Sequence, residues 1–379
     1  MLVLARKGIT KLPISVKTEE ALQILEILSK INHKIGRLEE RFNHSIVNKS
    51  LIQLLQLSES VESTRIEGTQ VTFTDVVEEQ NDSNPRREIT EVKNYREALQ
   101  EGTERIRNGY PVSWRLIRDL HGILMQGARG SVQASGDYRK VQNFIGPSNR
   151  IEDATYIPIS ADEIEEYMQN LEYFINKHPY NERLTTDHLP ADGYIFDEDA
   201  NPLIKTAIMH AQFESIHPFL DGNGRLGRIL IVLSLMQSKI ITQPIFFVSE
   251  ELEEERALYY DMLNGVRGEN PEWGDWILFF LKACDRMATR IYEKLEKADR
   301  LASEGLIKCQ LESEKRVWLY TFSDPFTTAK KVAEHLGIST NTARNALNTL
   351  AEKKLLFSDR EVKRNKKYRN YDLMRILRS

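Results

Sequence analysis

His217, Asp221, Asn223, Arg225 and Arg228 fall within twelve residues, HPFLDGNGRLGR, which open on an imidazole, pass through Gly-Asn-Gly and close on two guanidinium groups. Glycines at 222 and 224 suit a tight turn with positive φ better than a helix interior. Successive N–H groups of such a turn, at the positive end of a following helix, form a nest for phosphate. Arg225 and Arg228 lie three apart on one helical face and can grip the same polyphosphate through charge-assisted bonds. Asp221 adds a carboxylate beside them, which near phosphates suits one ligand of a hydrated Mg²⁺, an ion that usually takes only one or two carboxylates from protein. His217, with an ordinary pKa of about 6.5, can accept the proton of a hydroxyl that attacks the bound phosphate.

Two helices must hold this turn. Upstream, Pro202 with Leu203, Ala207, Phe213 and Ile216 predicts one helix, and downstream Leu226, Ile229, Leu230, Leu233 and Met236 predict a second, mostly buried. A separate helix carrying Leu51, Leu54 and Leu55 runs on through SESVESTRIEG and stops at Gly68, a natural residue just past a helix end. Ser63 and Glu67 are four apart and share one of its faces.

The twelve residues resemble, at every defining position, the active-site motif of the Fic family, HxFx(D/E)GNGRxxR. That resemblance implies a helical enzyme that binds ATP with Mg²⁺ (or Mn²⁺) and transfers a phosphate-containing part of it, usually adenylyl, to a protein hydroxyl. By position, His217 is then the base, Asp221 the metal ligand, Gly222, Asn223 and Gly224 the anion hole, and Arg225 and Arg228 the phosphate clamps. Ser63 to Gly68, STRIEG, is similar to the family's inhibitory motif (S/T)xxxE(G/N), in which a glutamate pairs with the second arginine. An inhibitory helix ahead of the catalytic motif is the class II order. Tyr259 or Tyr260, with Asn264, stand where the family lines its nucleoside pocket. GDYRKVQNFIG resembles the flap that positions a target by main-chain pairing.

The chain has 379 residues, enough for two or three cores, and a formal net charge of −4 that argues against wholesale nucleic-acid binding. Two cysteines, Cys284 and Cys309, give no metal-ligand pattern and fit a reduced, cytoplasmic protein. The opening MLVLARKGITKLP is too short in apolar residues for a signal peptide, and ILIVLSLM is far below the roughly twenty residues that span a bilayer.

Elsewhere the pattern predicts helices after Thr72 or Thr74, over RREITEVKNYREALQ, after Ser113, and after Ser160, where Glu163 completes a capping box. His121 on the Ser113 helix reads as a packed residue. Residues 137–159 lose the helical period and carry Tyr138, Val141, Phe144, Ile145, Tyr156 and Ile157 around Gly146, Pro147, Ser148 and Asn149, which predicts a β-hairpin on which a protein substrate could dock. Residues 179–201 read as an irregular connection. Ser249 is expected to cap a helix carrying Tyr259, Tyr260 and Leu263, and a long helix runs from about Trp273 past Ala298.

In the last seventy residues, AKKVAEHL and TNTARNALNTLAEKK flank Gly337 with helix-turn-helix spacing, and LLFSDREVKRNKKYRNYDL supplies two wing strands. Lys363, Arg364, Lys366, Lys367 and Arg369, with Arg344, Asn345 and Asn348, could meet a phosphate backbone, so DNA is a candidate partner through 327–371. The same unit could instead make protein contacts, a possible homodimer among them.

The expected fold is mainly α: an N-terminal helical region (1–110) with the inhibitory helix at about 44–68, a helical Fic core with a small hairpin flap (111–285), a connecting helix (286–310), and a C-terminal winged helix domain (311–379). The expected function is autoinhibited protein adenylylation, of a target or of the chain itself. Removal of AMP by a Glu67-activated water is one rival, and a nucleotide-sensing DNA-binding regulator is another.

Overall fold

The computed structural model describes residues 5–79, 86–127, 135–148, 150–177, 185–358 and 366–378. Packing divides the chain into two units, Met1–Ile35 with Glu59–Val71 and Arg86–Ala288, and Gly36–Ser58 with Thr72–Pro85 and Thr289–Ser379. Three helices, α1 (Thr18–His44), α2 (Asn48–Ile66) and α11 (Trp273–Lys308), carry residues of both.

The first unit is built on α7 (Pro202–Ile216) and α8 (Asn223–Gln237), which pack on each other. Asn201 caps α7 by accepting from Leu203 N at 3.0 Å, and Pro202 occupies its first turn, where no intrahelical N–H is needed. Both helices are buried nearly all round, as helices without a polar face must be. Around them, α6 (Ile164–Asn176) packs on α7, and α4 (Arg87–Arg107) packs on α5 (Trp114–Leu124) and α8. Ser113 caps α5, and the Ser160–Glu163 capping box is formed at the turn leading into α6.

Three expectations need correction. Over 137–159 the hairpin reduces to one antiparallel bridge between Ile145 and Tyr156, with Asn149 outside the described residues. Tyr156–Ile157 (β3) pairs instead in parallel with Arg6–Lys7 (β1), so a remote segment supplies the partner strand. Within 185–201, Tyr194–Phe196 (β4) is ordered by antiparallel pairing with Ile14–Val16 (β2). Ser249 does not cap a single helix: α9 (Ser249–Glu254) and α10 (Arg256–Gly265) are separate, and the Ser249 hydroxyl turns inward to Glu59.

The second unit contains α3 (Phe73–Glu79), introduced by a Thr72–Asp75 exchange of hydrogen bonds. Its C-terminal part holds α12 (Glu312–Tyr320), α13 (Ala329–Leu336), α14 (Thr340–Glu352) and α15 (Tyr371–Arg378). Thr328 and Ser339 cap α13 and α14, and Gly337 takes φ +64° between them. An antiparallel sheet in the order β5 (Phe326–Thr328), β7 (Lys367–Arg369), β6 (Phe357–Ser358) lies beside them. Val332, Ala343, Leu347 and Leu350 are buried and Leu336 is half-buried. Lys363 and Arg364 lie outside the described residues. Among the described residues no helix is long and apolar enough to cross a membrane.

Candidate functional site

Helix α7 ends by throwing His217 into the left-handed region at φ +50°, and Gly222 at φ +80° starts α8. Between them the Asn223 side chain clasps Phe219, donating to its carbonyl at 2.8 Å and accepting from its N–H at 3.0 Å. What Asn223 offers an anion is therefore its backbone N–H. The Phe219 ring stacks on His121 at 3.8 Å. Because Gly136 N–H donates to His121 Nδ1 (2.9 Å), the His121 proton sits on Nε2 and is donated to Asp221 O (3.0 Å). A histidine that reads as packing thus pins the loop that presents Asp221.

His217 Nδ1 lies 3.3 Å from the Glu214 carbonyl, which can only accept, so Nδ1 carries the proton and Nε2 keeps its lone pair. Burial, then the nearby charges of Arg267 and Arg139, push its pKa down to about 4, partly offset by the bond to the Glu214 carbonyl and by Glu67. At neutral pH the ring is an uncharged acceptor. Asp221 is half exposed, and its Oδ1 accepts Gly222 N–H at 2.6 Å, which aims the carboxylate outward along the turn.

The two arginines differ. Arg225 is buried between two carboxylates, Asp221 Oδ1 and Glu91 Oε2, each 3.6 Å away, and its Nε and Nη1 have no hydrogen-bond partner. Arg228, 1% exposed, is held by α2 and the residue after it: Nε donates to Ser63 Oγ (2.7 Å), and Nη2 to Ser63 O (2.8 Å) and Glu67 Oε1 (2.6 Å). Burial would raise the Glu67 carboxyl, but the charge and hydrogen bond of Arg228, with Arg225, hold it below its ordinary value. That carboxylate also leans on the turn, since a Cβ added at Gly224 would collide with Glu67 Oε1.

Glu59, absent from the sequence-based candidates, continues the same face: Glu59, Ser63 and Glu67 are spaced i, i+4, i+8. Its carboxylate accepts from Tyr95 OH (3.1 Å), Ser249 N (3.2 Å) and Ser249 Oγ, which anchors the end of α2. Burial pushes Glu59 up to about 7, against the pull of those bonds. A carboxyl raised on folding contributes stability that is fully present below its unfolded value near 4.5 and is lost as pH rises through about 7. Glu59→Gln should flatten this loss, by up to roughly 3 kcal/mol between pH about 5 and 8. Thermal melts of both proteins across that range, read as a difference, check it; parallel curves would remove Glu59 from this role.

Tyr259 and Tyr260 are separated by the fold. Tyr259 is buried with its hydroxyl on His210 Nε2 (2.9 Å), whereas Tyr260 is half-buried with its hydroxyl near Ile66 O (3.4 Å). Arg267, which no spacing signalled, is 4% exposed and reaches Asn264 Oδ1 (2.7 Å), Ser215 Oγ (3.1 Å) and Glu214 O (3.3 Å) while lying over the Tyr156 ring at 4.0 Å.

Two family models match: Fic/DOC family over residues 111–235 and Fic/DOC family N-terminal over 25–104. Among curated proteins, a stretch of 188 residues, 47% of this chain, is 24% identical to the protein adenylyltransferase Fic of Drosophila grimshawi. It covers 32% of that protein, so the chain matches about a third of the relative's length. A shorter stretch of 37 residues, 10% of the chain and 12% of the relative, is 51% identical to a probable protein adenylyltransferase of Aquifex aeolicus. Among solved structures, a Fic family protein from Desulfovibrio desulfuricans G20 is similar with a TM-score of 0.56 and 21% identity, covering 95% of this chain and 98% of that one. A Fic domain containing signaling protein from Bacteroides thetaiotaomicron gives 0.53 and 18%, covering 70% and 97%. At those identities the two structures bear on the fold alone, and it is the two family models, matching 25–104 and 111–235 between them, that show the family: the chain belongs to the Fic/DOC family.

Proposed function

We propose that the protein is an adenylyltransferase that moves AMP from ATP to a Tyr, Thr or Ser hydroxyl of a protein, and that the end of α2 holds it inactive. The observation that carries this reading is the Arg228 guanidinium, the second arginine of the motif, closed off by Ser63 and Glu67. In the transfer, His217 Nε2 takes the proton of the target hydroxyl while its oxygen bonds to the α-phosphorus and pyrophosphate leaves. The Glu214 carbonyl fixes the ring's tautomer and aim. The first N–H groups of α8 would meet the charge that develops, and Arg225, whose Nε and Nη1 make no hydrogen bond, has donors to spare for it. Arg228, once released, grips the outer phosphates.

Mg²⁺ fits this set. Among the described residues no group of three or more His, Cys, Asp or Glu could hold a metal unaided, and one outward carboxylate, Asp221, is what an ion bound mainly by phosphate and water asks for. The ion, when bound, would neutralise phosphate charge. Asp221→Asn keeps the shape and removes the charge, so ATP binding should lose its dependence on Mg²⁺. ATP titrations with and without Mg²⁺ read this, and the same Mg²⁺ dependence in the variant as in the parent would remove Asp221 as the ligand.

The target would add its strand on 140–144, because β1 already fills the other edge of β3, and Val141 is 60% exposed there.

The second unit supports a further reading, a winged helix that contacts duplex DNA. Helix α14 exposes Arg344 and Asn345, Lys367 opens β7 exposed, and Lys366 just before it reaches α14. Lys366 Nζ lies 3.5 Å from Asn348. Full-length protein should shift duplex DNA with an affinity that falls steeply with salt, and replacing Lys366 and Lys367 by Glu should lower that slope by about 2. No shift at low salt would leave this unit a protein-contact role.

A further inference from the structure

We propose that Arg267 is a positioning residue for the transfer: one buried guanidinium ties the backbone that holds His217, the side chain of Asn264 and the flap residue Tyr156 into one unit. The inference rests on the adenylyltransferase reading for what His217 does, and on geometry for the rest.

The four contacts point in four directions. Nη2 meets the Glu214 carbonyl, the same oxygen that accepts from His217 Nδ1. Nε meets Ser215 Oγ, while the Ser215 carbonyl accepts from Tyr156 OH at 2.7 Å. Nη1 meets Asn264 Oδ1, which fixes the amide at the end of α10. The planar face covers the Tyr156 ring, and Tyr156 belongs to β3, the strand next to the target edge. Arg6 adds a second tie across the same ground. Its backbone N–H pairs with Thr155 O (3.0 Å), and its Nη1 donates to the carbonyls of Asn264 (2.7 Å) and Gly265 (3.0 Å). The base, the Asn264 end of the site and the flap therefore share a single cation. A planar fork with five donors can do this, and a lysine, a point charge with one head, cannot.

Charge gives the second half of the role. The charged groups facing His217 are Arg267 from the segment after α10, Arg139 from the segment before β3, whose Nε donates to His217 O at 3.0 Å, and Glu67 from the end of α2. The two arginines oppose protonation of the ring and Glu67 favours it. Arg267 thus keeps the base free to accept a proton while it holds the carbonyl that aims it.

Two variants separate fork from charge in the full-length protein. The His217 ring can be followed by NMR from pH 4 to 8, its signal assigned by its loss in His217→Ala, and ATP binding measured with Mg²⁺ present. Arg267→Met should move the His217 titration up and weaken ATP binding about tenfold. Arg267→Lys should leave the titration low and still weaken ATP binding, because Asn264 loses its partner. An unmoved His217 titration in Arg267→Met, or a shift in Arg267→Lys as large as that in Arg267→Met, would overturn the proposal. Arg267→Gln gives the same reading should Arg267→Met fail to fold. Neither readout requires transfer, so a chain that never adenylylates anything would sink the proposed function without touching this test. In a transferring background, the acid limb of the kcat profile should move up together with the His217 titration in Arg267→Met, which a merely structural role for Arg267 would not produce.

Discussion

Glu67→Gly should raise transfer of AMP, to a target and to the chain's own hydroxyls, by roughly ten- to a thousandfold. The ground for the size is that Glu67 does two things at once. Its carboxylate holds Arg228 at 2.6 Å, and it presses against Gly224, where the phosphate nest opens. Removing the side chain frees the guanidinium and clears the nest, while the two Ser63 bonds still orient Arg228. A partly shielded pair of this kind is worth a few kcal/mol once one partner can bind phosphate instead. Arg228→Ala in the same chain should abolish the gain, because the clamp that Glu67 withholds is then gone. Transfer assays with labelled ATP on the single and double variants check both statements. The rival in which Glu67 activates water predicts the opposite sign, a loss of AMP removal with no gain in transfer.

His217→Ala should lower transfer by two orders of magnitude or more when made in the Glu67→Gly chain, and leave ATP binding nearly intact. His217 sits at a helix end, and its ring contributes one hydrogen bond, to the Glu214 carbonyl. The turn is held by other means, through the Asn223 clasp on Phe219 and Arg139 on the His217 carbonyl, and these survive the substitution. Loss of rate without loss of binding is the mark of a proton acceptor. Equal transfer in the double variant would remove His217 from that role.

The residues close in sequence were the legible ones. HPFLDGNGRLGR reads as turn chemistry because each member lies within a helical turn or two of the next, and Ser63 with Glu67 reads as one face for the same reason. Caps at Ser113 and Ser160 were equally local. What local pattern cannot supply is a partner from far along the chain. The strand beside Tyr156 comes from Arg6 and Lys7, so of the expected hairpin only the Ile145–Tyr156 bridge forms among the described residues. Arg267 carries no periodic signal, and only the fold brings it to Glu214, Ser215 and Tyr156. Glu59 could have been found, because it extends the Ser63 and Glu67 spacing by one more turn. Ser249 reads as a cap by type, yet tertiary burial of Glu59 claims its hydroxyl instead. Tyr259 and Tyr260 are adjacent and chemically alike, and their different fates depend on which side of α10 faces His210.

Intact-mass spectrometry of the full-length Glu67→Gly protein, and of Glu67→Gly with His217→Ala, after incubation with ATP and Mg²⁺, reads the restraint on transfer itself. The first should gain the mass of one or more adenylyl groups and the second none, with the unaltered chain far below the first. Equal adducts on the unaltered chain and on Glu67→Gly would contradict the claim that the Glu67–Arg228 pair holds transfer in check.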